Sequence, residues 1–190
     1  MKLLFFAGSL RADSCNKHFV REAMRLVGAT GEHQLEYADL KAYPMPPYDG
    51  DLETSSGLPE TTVRLGEQIR QADALIVSTP EYNGSIPGVL KNVIDWLSRE
   101  NPVSLTGKPL LLLAASPGAL GGVRSLWHTR VPFEVLGVYV FPAMMGLPHA
   151  YDAFDNQGRL KEEKTRQHLQ QLLDQFLELV ESVNREVVHS

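Results

Sequence analysis

Cysteine is almost missing from this chain, with one residue, Cys15, among 190. No internal disulfide can form, and no zinc site built on several thiolates can be assembled. Long apolar runs are missing as well. No stretch approaches the roughly 18 residues that span a bilayer, and the first apolar segment, from Lys2, lacks the length and small-residue cleavage site of a signal peptide. Nor is there an excess of positive charge. Lys and Arg number 18 against 23 Asp and Glu, for a net charge of −5 and a pI near 5.7. With no clustered basic face, nucleic acid is argued against as a partner, because duplex binding draws most of its affinity from cations on phosphates. These absences lead us to expect a cytoplasmic protein without membrane or nucleic-acid partners.

What is present is a regular alternation of short apolar runs and helix-period segments, consistent with one domain over residues 1–190. Residues 2–7, 34–40, 72–79, 108–116 and 137–143 read as five strands. Helices are expected from Ser14 to about Val27, from Pro59 to about Ala72, over 88–100, from about Gly122 to a kink or end near Pro132, and from about Glu162 to Val187. The stretch "KAYPMPPYDGDLETSSG" reads as irregular loop because of its prolines and glycines. Strand–helix alternation repeated five times predicts an α/β fold: a doubly wound, flavodoxin-like five-stranded parallel sheet of order 2-1-3-4-5, with helices on both faces. In that architecture ligands bind beyond the carboxyl ends of the strands, at the switch point between strands 1 and 3.

The loops at that edge are all unusual. "GSLRADSCN" (8–16) places Ser9, Arg11, Ser14 and Asn16 around a helix start, where free N–H groups and the helix dipole favour a phosphate. The same residues also suit plain helix capping by Ser14 or Asp13. No G-x-G-x-x-G is present, so a single terminal phosphate fits better than a dinucleotide pyrophosphate. Cys15 and Arg21 have the C-x5-R spacing of cysteine phosphatases. That chemistry needs a closed loop with inward N–H groups, whereas "NKHFV" places Phe19 and Val20 on a helical core stripe. "PEYNGSIPG" (80–88) presents Glu81, Tyr82 and Asn83 after Pro80, suited to the polar edge of a flat ring. "SPGALGG" (116–122) is small enough for a ring to approach its backbone, with Ser116 and Gly118 at its start. Each loop could equally be an ordinary connection. Together they describe a mononucleotide site with a phosphate end and a planar aromatic end, for which flavin mononucleotide (FMN) is the natural occupant.

At "GSLRADSCN" (8–16), "TPEYNGSIPGVLKNVIDWLSR" (79–99) and "GGVRSLWHTR" (121–130) the chain resembles the NADPH-dependent FMN reductase family, with its quinone, azo-dye and chromate reductases. The resemblance implies that Ser9, Arg11, Ser14 and Asn16 hold the FMN phosphate. It also implies that Pro80, Glu81, Tyr82 and Asn83 contact the ring and ribityl chain, with Ser116 and Gly118 nearby. It implies a homodimer, sometimes a tetramer, with the active site near the subunit interface. The expected activity is ping-pong, two-electron transfer from NADPH or NADH through FMN to a small-molecule acceptor, with no catalytic side chain required. The alternative is a flavodoxin-type electron carrier serving a protein partner, against which Arg11 and the mild net charge argue.

Overall fold

The computed structural model describes residues 1–188. The chain runs β1 (Lys2–Ala7), α1 (Cys15–Gly28), β2 (Gln34–Ala38), a 3-10 turn at Leu40–Ala42, α2 (Gly50–Ser56), α3 (Glu60–Gln71), β3 (Ala74–Ser78) and α4 (Gly88–Leu97). It continues through β4 (Pro109–Ala115), α5 (Val123–Val135), β5 (Tyr139–Val140), β6 (Met145–Leu147), α6 (Ala150–Ala153) and α7 (Glu163–Val188). The strands form a parallel sheet of order β2-β1-β3-β4-β5, with β6 also on β4.

β3 and β4 are buried along their whole length, as apolar runs covered on both faces must be. Alternate side chains feed two cores. Phe5, Ile76 and Leu111 meet α1 through Phe19 and Val20, and meet α7 through Leu169, Leu173 and Phe176. On the other face Phe6, Val77 and Leu112 meet Leu65 and Ile69 of α3, Leu90 and Ile94 of α4, and Phe133 of α5. The sheet is thereby immobilised, and its carboxyl edge can hold loops in fixed positions.

Two expectations need correction and a third is narrowed. The fifth strand does not run unbroken through 137–143. Val140 pairs with Leu110 and Met145 with Leu113, so five steps along this strand match three along β4. The two extra residues fall around Pro142, which has no N–H for the ladder. The carbonyls of Phe141 and Val140 are instead covered by the Arg130 guanidinium, at 2.9 and 3.3 Å. The segment after β2 is not wholly irregular either. The Asp49 side chain accepts the Asp51 N–H (2.8 Å) and starts α2, and Gly57 at φ 72° ends it. That helix buries no residue, so it has no apolar stripe to read. Of the kink or end expected near Pro132, the end is excluded, because α5 passes through Pro132 to Val135. His128, whose carbonyl loses its donor there, lies on the exposed surface where water can serve it. Smaller differences trim β2, β3, β4 and α4 by one to three residues at their ends.

Candidate functional site

The first loop leaves β1 and enters α1 at Ser14, which has extended backbone (φ −93°, ψ 127°) and makes no side-chain capping bond. Asp13 turns instead to His18, 2.8 Å away. The capping alternative therefore does not account for these residues. The first helical N–H to find a backbone acceptor is that of His18, on the Ser14 carbonyl at 3.1 Å. Among the described residues, the N–H groups of Cys15, Asn16 and Lys17 find no backbone acceptor, and Ser14 spends no side-chain bond on the helix. Unspent donors at a helix N-terminus are the chemistry that can receive an anion.

Asn16 has a different position from its loop neighbours. It is buried, its Nδ2 donates to the Ala115 carbonyl (2.8 Å), and its Oδ1 accepts the Ala115 N–H and the Ser78 hydroxyl, both at 2.8 Å. The side chain thus clamps α1 to the ends of β3 and β4, which leaves mainly its backbone N–H facing outward chemistry. Lys17 is also committed, with its buried Nζ 2.7 and 2.8 Å from the two Asp39 oxygens. Arg11 remains exposed, and the Tyr151 hydroxyl beside it raises its guanidinium pKa further above the ordinary value, so it stays charged. Burial pushes the Cys15 thiol up, against the opposing pull of Arg11. A protonated thiol at the head of a continuous helix, with Arg21 stacked 4.7 Å from the Tyr37 ring centroid, is no phosphatase loop.

The second loop is a designed turn. Asn83 and Gly84 both have positive φ (52° and 74°), and Tyr82 and Ser85 exchange backbone hydrogen bonds at 3.1 and 3.0 Å. This is the I′ hairpin turn that Asn-Gly favours. Glu81 is not solvated. Its carboxylate accepts the Arg124 Nε–H (2.8 Å) and the backbone N–H groups of Arg124 (3.2 Å) and Ser125 (3.4 Å). Gly122 at the N-cap of α5 has no side chain to do this, so Glu81 caps that helix from another loop. Arg124 is the first cause that holds the Glu81 carboxyl below its usual range, helped by the Ser125 N–H and opposed by desolvation. Tyr82 projects outward, half-exposed.

The third loop is held close to β6. A Cβ on Gly121 would lie 2.7 Å from the Gly146 carbonyl carbon, so only glycine permits the approach. The Ser116 N–H donates to the Leu147 carbonyl (3.0 Å) and the Gly118 N–H to Ser116 Oγ (3.3 Å). Those two N–H groups are therefore engaged within the protein.

One cavity of about 210 Å³ gathers Ser9, Arg11, Ser14, Asn16, Pro80, Glu81, Tyr82 and Ser116. Asn83 and Gly118 do not line it. Cys15, Ala115, Pro117 and Tyr151 line it too. Ala115 and Pro117 flank an expected residue, whereas Tyr151 lies far along the chain with no local motif. The volume is below the roughly 300–1,000 Å³ of clefts that enclose whole small ligands, so the cavity suits one end of a mononucleotide. The donor set of hydroxyls, helix N–H groups and one guanidinium fits a phosphate there. A second, more apolar cleft of about 430 Å³ is lined by Leu10, which stands in sequence between the cavity residues Ser9 and Arg11, together with Tyr43–Pro46 and Val89, Asn92 and Val93 of α4.

A doubly wound parallel sheet with this donor set at its switch point defines a flavodoxin-like mononucleotide-binding protein. Residues 1–152 match the model of the NADPH-dependent FMN reductases, and the chain belongs to that family. It is an oxidoreductase that uses FMN with NAD(P)H as co-substrate. An NAD(P)H-dependent FMN reductase of Pseudomonas aeruginosa is 42% identical over 175 residues, 91% of either chain. A quinone reductase of Escherichia coli is 36% identical over 187 residues, 96% of this chain and 97% of that one. Among solved structures, FerB, a flavoenzyme NAD(P)H:(acceptor) oxidoreductase from Paracoccus denitrificans, is similar with a TM-score of 0.80. It is 30% identical over 95% of this chain and 97% of its own. Among the described residues no helix is long and apolar enough to cross a membrane.

Proposed function

We propose that this chain is a quinone-reducing enzyme whose FMN phosphate is held by Ser9, Arg11, Ser14 and the N–H groups that open α1, with its ring against Pro80–Asn83 and the 116–118 backbone. The observation that carries this reading is the unspent donor set at the carboxyl edge of β1, where neighbouring side chains such as Asn16, Lys17 and Glu81 are already committed. When bound, FMN supplies two-electron chemistry, taking hydride from NAD(P)H and delivering it to an acceptor. The chain's part is to bind, orient and leave one face open. Quinones are the acceptor class supported by relatives named quinone reductase and 2-hydroxy-1,4-benzoquinone reductase.

The apolar cleft lined by Leu10 is the docking place for flat substrates in this reading. Its wall is firm: the Pro46 carbonyl accepts from Asn92 Nδ2 (2.9 Å) and Trp96 Nε1 (2.8 Å), and the Tyr48 N–H donates to Asn92 Oδ1 (2.8 Å). A homodimer through α5 belongs to the same reading. Trp127, Val131 and Val135 follow i, i+4, i+8 spacing and are 56, 61 and 79% exposed, beside a groove of about 510 Å³ between α4 and α5. A lone cysteine and a demand for NAD(P)H suit a cytoplasmic setting.

The test is anaerobic. The protein is loaded with FMN, NADPH is added, and the visible absorbance of the flavin is followed. Fast bleaching that benzoquinone reverses is the expected result. Bound flavin that stays unbleached points to a carrier serving a protein partner, and a protein that takes up no flavin removes the reading.

A further inference from the structure

Tyr151 belongs to no sequence motif, yet it lines the same cavity as Ser9, Arg11 and Ser14. Its position is set from behind. The Ala150 N–H donates to the Ser116 carbonyl at 3.1 Å while the Ser116 N–H donates to Leu147 at 3.0 Å, so α6 is stitched to the third loop. Ala150 is fully buried, and the Lys161 N–H holds the far end of α6 at the Ala153 carbonyl (3.0 Å). The short helix therefore cannot swing away without exposing core. Tyr151 itself stands on the outer rim, 64% exposed, and lines the cavity together with Arg11, whose guanidinium pKa its hydroxyl raises.

The charge at this rim is small. Arg11 is the one lysine or arginine among the described residues lining the cavity. Lys17 is spent on Asp39 and Arg124 on Glu81. Two carboxylates lie near, that of Asp13, which is held by His18, and that of Glu81. A phosphomonoester needs donors for one group and ends there. A diphosphate needs a second set of donors and an open way out for the nucleoside beyond it.

We propose that Tyr151 is a specificity-determining residue: it closes the phosphate end of the pocket, so the site takes a flavin that ends in a phosphomonoester and rejects the dinucleotide FAD. The inference rests on the assignment of the FMN phosphate to this end. Tyr151 acts in two ways. Its ring occupies the rim past which a dinucleotide would have to continue, and its hydroxyl keeps the Arg11 guanidinium turned to the monoester.

The experiment is a set of fluorescence titrations of the full chain with FMN, FAD and riboflavin, on the wild type, Tyr151→Ala and Tyr151→Phe. The wild type should bind FMN at least about tenfold tighter than FAD. Tyr151→Ala should shrink that ratio by about fivefold or more, through tighter FAD binding. Tyr151→Phe keeps the ring, so FAD stays excluded, while FMN weakens by roughly fivefold to tenfold and riboflavin is unmoved. An unchanged FMN-to-FAD ratio in Tyr151→Ala, beside a wild type that binds FMN, overturns the inference and leaves the FMN assignment standing. A wild type that binds FAD as well as FMN also overturns it. A wild type that binds no flavin overturns both.

Discussion

Glu81 in the loop after β3 and Arg124 in the first turn of α5 are 43 positions apart in sequence, and the carboxylate of the first meets both the guanidinium and the backbone N–H of the second. One side chain thereby fixes the second loop to the helix that follows the third. Glu81→Gln should loosen that link by about 1–2 kcal/mol. Most of it comes from the weakened cap, because Arg124 is half-exposed and its ion pair is screened. The melting temperature should fall by roughly 2–6 °C in a thermal scan.

The pH dependence of that difference follows from the depressed carboxyl. The Glu81 contribution is fully present above the ordinary glutamate value of 4.5 and is lost as pH falls through the lower folded value. Wild type and Glu81→Gln should differ by a constant amount above about pH 5 and converge in more acidic solution. A gap that widened toward acid would show that the carboxylate is not the stabilising form.

Asn16→Ala should be more damaging to stability than any other change at this edge. It strips partners from the Ala115 N–H, the Ala115 carbonyl and the Ser78 hydroxyl, all of them buried. Leaving such groups unpaired costs about 2–4 kcal/mol. Urea unfolding should show an earlier midpoint with an unchanged slope. An unshifted midpoint would mean that water replaces the clamp without loss.

Arg11→Ala removes the one lysine or arginine among the described residues that line the cavity. FMN affinity should drop by roughly 10- to 100-fold, the worth of a hydrogen bond to a charged group, and riboflavin affinity should hardly change. Equal losses for the two flavins would separate Arg11 from the phosphate.

Val131→Arg places a charge in the middle of the exposed apolar stripe of α5. Light scattering should find the mass halved relative to the wild type, with the FMN site intact by fluorescence. A wild type that is already monomeric would assign another role to Trp127, Val131 and Val135.

Much of this molecule is legible without coordinates because it repeats strong local signals. β3 and β4 are apolar and β-long, α1 and α7 carry clean helical stripes, and their alternation leaves few topologies open. Where the local signal is weak, the reading departs from the structure. α2 buries nothing and depends on a capping aspartate, and the break between β5 and β6 depends on Pro142 and on a guanidinium that arrives from α5. Asn83–Gly84 carried a readable turn signature all along, in the dipeptide itself.

The sequence alone determined the class of sheet and three of the loops that meet at its carboxyl edge, because periodicity and small-residue loops are local properties of a chain. Only the tertiary structure decided how the residues of those loops divide their work. Asn16 and Glu81 look like ligand-holding groups in sequence, but their hydrogen-bonding capacity is largely consumed by Ala115, Ser78, Arg124 and Ser125. Ser9, Ser14 and Arg11 instead line one cavity, and Tyr151 joins them there from a helix with no motif. Hydrogen-bonding capacity is finite, and which partner uses it depends on distances between residues that lie tens of positions apart.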